Sequence, residues 1–151
     1  MATTKYYKGK FNPERPNKYK GNVRNIIYRS GWERRFMIYC DRNENVIEWG
    51  SEEVVIPYQS PLDGKIHRYF PDFYIKVKQS NGTIKKYIIE VKPKKQCQPP
   101  DKPKRKTKRW YKEAKAWGIN SAKWKYAEDW CSNNGMEFKI LTEDHLDIRY
   151  K

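Results

Sequence analysis

Apolar positions along the chain change their spacing several times, and each change marks an element. Trp32, Phe36, Ile38 and Tyr39 supply the apolar positions of a predicted helix running from Ser30, its N-cap, to about Cys40. Glu33, three residues after Ser30, completes a capping-box pattern. Val46–Trp49 and Val54–Tyr58 are short β-branched and aromatic runs; Pro61-Leu62-Asp63-Gly64 is a turn, from which Ile66–Phe70 returns as a strand. Two further β-rich runs, Phe70–Lys78 and Tyr87–Val91, flank Asn81-Gly82, a strong hairpin signal. Ile88, Ile89 and Val91 make the second of these apolar enough for a central strand covered on both faces. Helical signals return at Trp110, Tyr111, Ala114 and Trp117; Gly118 and Asn120 interrupt them. A second helical segment, Ser121–Asn133, carries Trp124, Ala127, Trp130 and Cys131 on one stripe, better suited to core than to a ligand, and Gly135 fits just past its end. Glu137–Leu141 reads as a last strand, parallel to the central one through the helical crossover. The expectation is an α/β chain of α+β character, with a mostly antiparallel sheet of about four strands.

Two stretches lack such periodicity. Residues 1–24 carry Lys5, Lys8, Lys10, Arg15, Lys18, Lys20 and Arg24 against Glu14 and are broken by Pro13, Pro16, Gly9 and Gly21. They predict an extended basic arm, so the expected division is an arm over 1–29 and a folded domain over 30–151. The second stretch, 93–109, holds four prolines and Lys94, Lys95, Lys102, Lys104, Arg105, Lys106, Lys108 and Arg109 against Asp101. It predicts a long exposed basic loop.

Charge changes the picture more than composition does. Of 151 residues, 33 are Lys or Arg and 18 are acidic, a formal charge of +15. One domain of this size with so positive a surface favours a polyanion, with nucleic acid first and an anionic membrane surface as the rival. No apolar run approaches the roughly 20 residues of a spanning helix, and no apolar signal core opens the chain. Cys40, Cys97 and Cys131 have neither zinc nor disulfide-framework spacing, which predicts a reduced, cytosolic chain.

The candidate chemistry lies on the hairpin. Asp72 opens the first run; Glu90 and Lys92 end the second, two residues apart and so on one face of a strand. Carboxylates of this kind hold a hard divalent cation, and an ammonium beside them orients or activates water. The competing reading is a polar hairpin with Glu90 and Lys92 on its solvated face. His67 offers a phosphate contact or a proton-transfer group, against the commoner role of a sheet-surface histidine.

Pro71-Asp72 and Glu90-Val91-Lys92 resemble the two halves of the motif of the PD-(D/E)XK nuclease superfamily. Ser30-Gly31-Trp32-Glu33-Arg34-Arg35-Phe36 and His67-Arg68-Tyr69-Phe70-Pro71-Asp72-Phe73 resemble the catalytic domain of TnsA-type transposon endonucleases. Length, basicity and layout are similar to the family of small head-completion nucleases of T4-type bacteriophages. The resemblance covers Ser30 to about Leu141. It implies a restriction-endonuclease-like core, a mixed central sheet flanked by helices, and a metal-dependent DNA endonuclease with little sequence specificity. It further implies catalytic roles for Glu33, Asp72, Glu90 and Lys92, and Mg²⁺ held by Glu33, Asp72, Glu90 and the Val91 carbonyl, with Mn²⁺ able to substitute. Double-stranded DNA is the expected partner, contacted by His67, Arg68 and the cations of 94–109. Phage head or portal proteins are further expected partners, and the expected location is the host cytoplasm or the virion. Two other classes compete: a non-catalytic DNA-binding head-closure protein, and an RNA-binding factor stacking single-stranded bases on its aromatics.

Overall fold

Side-chain alternation along the hairpin strands divides the apolar residues into two sets, and the computed structural model, which describes residues 8–146, builds one core from each. In chain order the elements are β1 (Gly9–Lys10), β2 (Ile27–Tyr28), α1 (Gly31–Arg42), β3 (Val46–Ser51), β4 (Ile56–Gln59) and β5 (Ile66–Tyr69). There follow β6 (Phe73–Lys78), β7 (Ile84–Val91), α2 (Lys108–Asn133), β8 (Glu137–Leu141) and α3 (Glu143–Leu146). The main sheet has the order β3-β6-β7-β8, antiparallel at its first two pairings and parallel between β7 and β8. The expected hairpin forms, with Gly82 at φ +89° and the Thr83 amide donating to Asn81 Oδ1 at 3.0 Å.

Phe73, Ile75 and Ile89 point to one face of the sheet, where they pack with Trp49 of β3 and with Phe36, Met37 and Cys40 of α1. Tyr74 and Ile88, of opposite parity, point to the other face and pack with Trp124, Ala127 and Cys131 of α2. Burial of each large side chain contributes about 1.5–3 kcal/mol. The tryptophan stripe is therefore core, as its spacing predicts.

Three expectations are corrected. The segment expected as an extended arm packs from Lys8 onward; Lys5 lies outside the described residues. β1 pairs with β2, Ile26 is fully buried, and Phe11 and Tyr19 pack edge-on against Trp49 with centroids 5.8 and 4.7 Å away. Buried Asp41 of α1 accepts the amides of Glu14 and Arg15 at 2.8 and 3.0 Å, so the proline-broken backbone finds its partners on α1.

The second correction concerns the meander. β4 and β5 pair only with each other and stand outside the main sheet. Pro57 has no amide to give a second neighbour, and Ile56 and Tyr58 bury a single face against α2. The third is the helical interruption: α2 runs unbroken for 26 residues through Gly118 and Asn120. Thr107 caps it by accepting the Trp110 amide at 3.1 Å. The packing of Trp117, Trp124, Ala127 and Cys131 outweighs the roughly 1 kcal/mol that a mid-helix glycine costs relative to alanine.

A Cβ added at Gly118 meets no atom within 4 Å. Gly118→Ala is therefore expected to raise unfolding stability by about 0.5–1 kcal/mol, read from the denaturant midpoint at unchanged slope. A lower midpoint would contradict a continuous α2.

Candidate active site

The hairpin register places the two carboxylates. Phe73 lies opposite Ile89, so the next residues outward bring Asp72 alongside Glu90, on the face shared with Tyr74 and Ile88. Asp72 Oδ2 accepts the Val91 amide at 2.8 Å, tying the start of β6 to the end of β7. Glu90 is 7% exposed. Its Oε1 accepts the Tyr69 hydroxyl at 2.6 Å, and Lys92 Nζ stands 3.7 Å from its Oε2.

Burial pushes the Asp72 carboxyl well above the usual range and the Glu90 charge pushes it further; the Val91 amide and Lys92 act in the opposite sense. Burial likewise raises Glu90, opposed by the Tyr69 hydroxyl, Lys92 and Lys123. The Tyr69 phenol is itself pushed far up by its burial and by the Glu90 charge, so it remains a donor.

Glu33 approaches from α1. Its amide donates to Ser30 Oγ at 3.1 Å, while its Oε1 accepts the amide of Arg29 at 3.0 Å. The capping box thus forms with its return bond one residue earlier than the pattern specifies. Burial raises the Glu33 carboxyl, the Arg29 amide lowers it, and the charges of Glu52 and Glu90 raise it again. Glu33 therefore shares the electrostatic field of the site while serving as part of the helix cap.

The residues expected to bind DNA do not all reach this cluster. His67 Nε2 pairs with Asp63 across the β4–β5 turn at 2.8 Å. Arg68 lies over the exposed Phe70 ring, 5.6 Å from its centroid. Lys94 is held at α3, its amide donating to Glu143 at 2.8 Å and its Nζ pairing with Asp144 at 3.1 Å. Lys95, Lys102, Lys104, Arg105 and Lys106 are exposed ahead of α2, while Lys108 and Arg109, expected in the loop, are exposed on the first turn of α2. Lys106 sits over the Trp110 ring at 5.4 Å, and Arg109 pairs with Glu113 at 3.3 Å.

Three residues of this neighbourhood escape sequence reasoning. Lys123 of α2 reaches the Glu90 side of the sheet, with Nζ 5.5 Å from the Tyr69 ring centroid. Arg29 grips Glu52 through two hydrogen bonds, Nε at 3.0 Å and Nη2 at 2.9 Å. Glu52 adopts φ +56°, uncommon outside glycine, and its amide donates to the Asp72 carbonyl at 3.0 Å. Arg29 directly precedes the Ser30–Phe36 motif, whereas Glu52 and Lys123 stand far from any motif in sequence. The nearest available signal was Lys123 on the helical stripe of Trp124 and Ala127, and it says nothing about the sheet.

Among the described residues, no three His, Cys, Asp or Glu side chains converge into a closed cation-binding group. The donor set nevertheless fits a hard cation. Asp72 and Glu90 offer carboxylate oxygens, and each has one oxygen hydrogen-bonded to a neighbour and a second outside those bonds. Their shared rise in pKa reflects a place where added positive charge is favoured.

A family model described as TnsA-like endonuclease N terminal matches residues 43–143, a stretch that includes Asp72, Glu90 and Lys92 and begins after Glu33. The chain is also 44% identical over 144 residues to the head completion nuclease of Enterobacteria phage T4, covering 93% of both chains. No solved structure matches.

These carboxyls gain affinity for protons on folding, so they favour the fold below the usual carboxylate range. That contribution is lost as pH rises through their elevated folded-state values. Stability in EDTA is expected to fall as pH rises above the usual carboxylate range, and Glu90→Gln is expected to flatten that fall. Urea titrations of both proteins across this range provide the check; parallel pH profiles would remove Glu90 as a source of the strain.

Proposed function

This chain belongs to the TnsA-like endonuclease family and is a nuclease, and from that premise we propose that it hydrolyses phosphodiester bonds of double-stranded DNA with Mg²⁺, Mn²⁺ substituting, at packaged ends during phage head completion. The observation carrying the reading is the meeting of Asp72, Glu90 and Lys92 at the adjoining ends of β6 and β7. Identity to the phage T4 relative across nearly the whole chain supports the head-completion role, with head or portal proteins as partners. Among the described residues no helix is long and apolar enough to cross a membrane.

Asp72 and Glu90, assisted by Glu33 and the Val91 carbonyl, are the residues that would hold the cation. The chemistry Mg²⁺ supplies when bound is charge neutralisation at the scissile phosphate and acidification of water. The Tyr69 hydroxyl fixes the orientation of Glu90 through Oε1. Glu90 in turn holds Lys92 Nζ beside Oε2, where the ammonium can donate to the attacking water or to a phosphoryl oxygen of the transition state. Exposed cations of residues 95–109, in the loop and the first turn of α2, supply backbone contacts that carry little sequence information.

Asp72→Ala, Glu90→Ala and Lys92→Ala are each expected to reduce cutting by on the order of 10² or more, non-additively, with folding retained. Glu33→Gln keeps an oxygen for the Arg29 amide and removes the charge; a marked loss of activity with little change in melting temperature is expected. Supercoiled plasmid incubated with Mg²⁺ and separately with EDTA reads these effects. Wild-type cutting by purified Asp72→Ala would overturn the site assignment. Intact but retarded plasmid under every metal condition would overturn the nuclease reading in favour of a non-catalytic nucleic-acid-binding role.

The loop makes a separable prediction. Neutralising Lys102, Lys104, Arg105 and Lys106 together is expected to weaken binding similarly for unrelated duplexes. It should also reduce the log-affinity versus log-salt slope by about 0.9 for each DNA phosphate that the variant no longer neutralises. Titrations at several salt concentrations check this. An unchanged slope would show the loop to be solvated charge.

A further inference from the structure

α2 is the crossover helix between β7 and β8, and most of the side chains it turns toward the sheet are apolar. Lys123 is the exception. Its ammonium stands over the Tyr58 and Tyr69 rings at 5.8 and 5.5 Å. A lysine that serves solubility alone extends into water; this one is half-buried against two aromatic faces. The Tyr69 hydroxyl that donates to Glu90 belongs to the same ring that cradles Lys123. Electrostatic coupling of Lys123 to Glu90, Lys92 and Asp72 agrees with this placement.

Lys123 is not part of a closed ion pair: among the described residues, no acidic side chain lies within salt-bridge distance of its ammonium, whereas Lys92 has Glu90. Desolvating an ammonium is costly unless something answers its charge, and the two ring faces answer it only in part. The remaining capacity points to an anion brought by the substrate.

The route by which that anion arrives is also marked. Lys108, Lys112 and Lys115 are exposed and share a face of α2 with Lys123, all within about 80° of arc at 3.6 residues per turn. The stripe runs about 22 Å from Lys108 to Lys123 at 1.5 Å per residue. It begins where the basic loop ends and finishes over the ring of Tyr69, whose hydroxyl donates to Glu90.

We propose that Lys123 is a second ammonium of the active centre, binding a non-bridging oxygen of the phosphodiester being cut, from the α2 side of the sheet opposite the strand that carries Lys92. It rests on the assignment of Asp72, Glu90 and Lys92 given above. Lys92 then serves the water and the reacting oxygen held near Glu90, while Lys123 fixes the phosphate and offsets its growing negative charge. The tyrosine cradle holds the ammonium in place before substrate arrives, so little reorganisation accompanies the reaction.

The test uses the full chain and three substitutions. Lys123→Met keeps the stem against Tyr58 and Tyr69 and removes the charge, Lys123→Arg keeps the charge, and Asp72→Ala controls for the site itself. Single-turnover cutting of a labelled duplex at saturating protein in Mg²⁺ separates chemistry from affinity, which is measured on the same duplex in EDTA by anisotropy. Lys123→Met is expected to slow the single-turnover rate by on the order of 10², with affinity changed less than about 3-fold, a fraction of what one phosphate interaction supplies. Its melting temperature should stay near that of the parent, and Lys123→Arg should recover a substantial part of the rate. A Lys123→Met rate near the parent's, with Asp72→Ala inactive, overturns the inference and leaves the site intact. An active Asp72→Ala overturns the site reading first. A slow Lys123→Met matched by an equally slow Lys123→Arg and a lowered melting temperature assigns Lys123 to packing and also overturns the inference.

Discussion

Asp72 and Glu90 are like charges lying alongside each other at the end of two paired strands, with little water to separate them. Each would be more stable neutral, and folding forces them together nonetheless. The surrounding residues answer that repulsion one by one. The Val91 amide donates to Asp72, the Tyr69 hydroxyl to Glu90, and Lys92 stands beside the remaining Glu90 oxygen. Tyr69 can do this at any ordinary pH because its burial, and then the Glu90 charge it donates to, keep the phenol from ionising. A strained polar pair kept inside a sheet, at the expense of stability, is what a reactive centre looks like when other local rules are obeyed.

The strain is confined to one side. Strand alternation sends Ile89 toward α1, into a core that also takes in Phe36, Met37 and Trp49, while Glu90 and Lys92 share the parity of Ile88 and face α2. The α1 side is thus almost wholly packing, with Glu33 at the helix's first turn the acidic group it places in the field of Glu90. A slip of one residue in the hairpin would exchange the two sides completely. The Asn81-Gly82 turn, with glycine in a conformation that other residues rarely adopt, fixes the register that prevents it.

Much of this was legible in the chain because the signals are local. Ser30 and Glu33 announce a helix start within four residues, Asn81-Gly82 announces its own turn, and Glu90 and Lys92 share a face by spacing alone. The parallel return through α2 to β8 also follows from element order. What escaped was non-local. The chain from Lys8 to Tyr28 looks like solvated charge until Asp41, Trp49 and α1 supply its partners. Gly118 looks like a break until the tryptophans on either side are seen to be buried against the sheet. Lys123 and Glu52 join the site from distant segments, and no spacing rule connects them to Asp72.

The parallel pairing of β7 with β8 joins Tyr87 to Glu137, and everything between them must be traversed before that ladder can close. Closing so long a loop carries an entropy cost that only the later contacts offset, so this edge of the sheet assembles late. During synthesis the acidic pair and Lys92 leave the ribosome well ahead of the helix and strand that cover them. A chain arrested before Asn133 holds its motif residues but lacks the complete wall of Trp124, Ala127 and Cys131 behind Ile88. The wall behind Ile88 is therefore complete only once α2 has been made and packed on the sheet, and the β7–β8 ladder closes only after it.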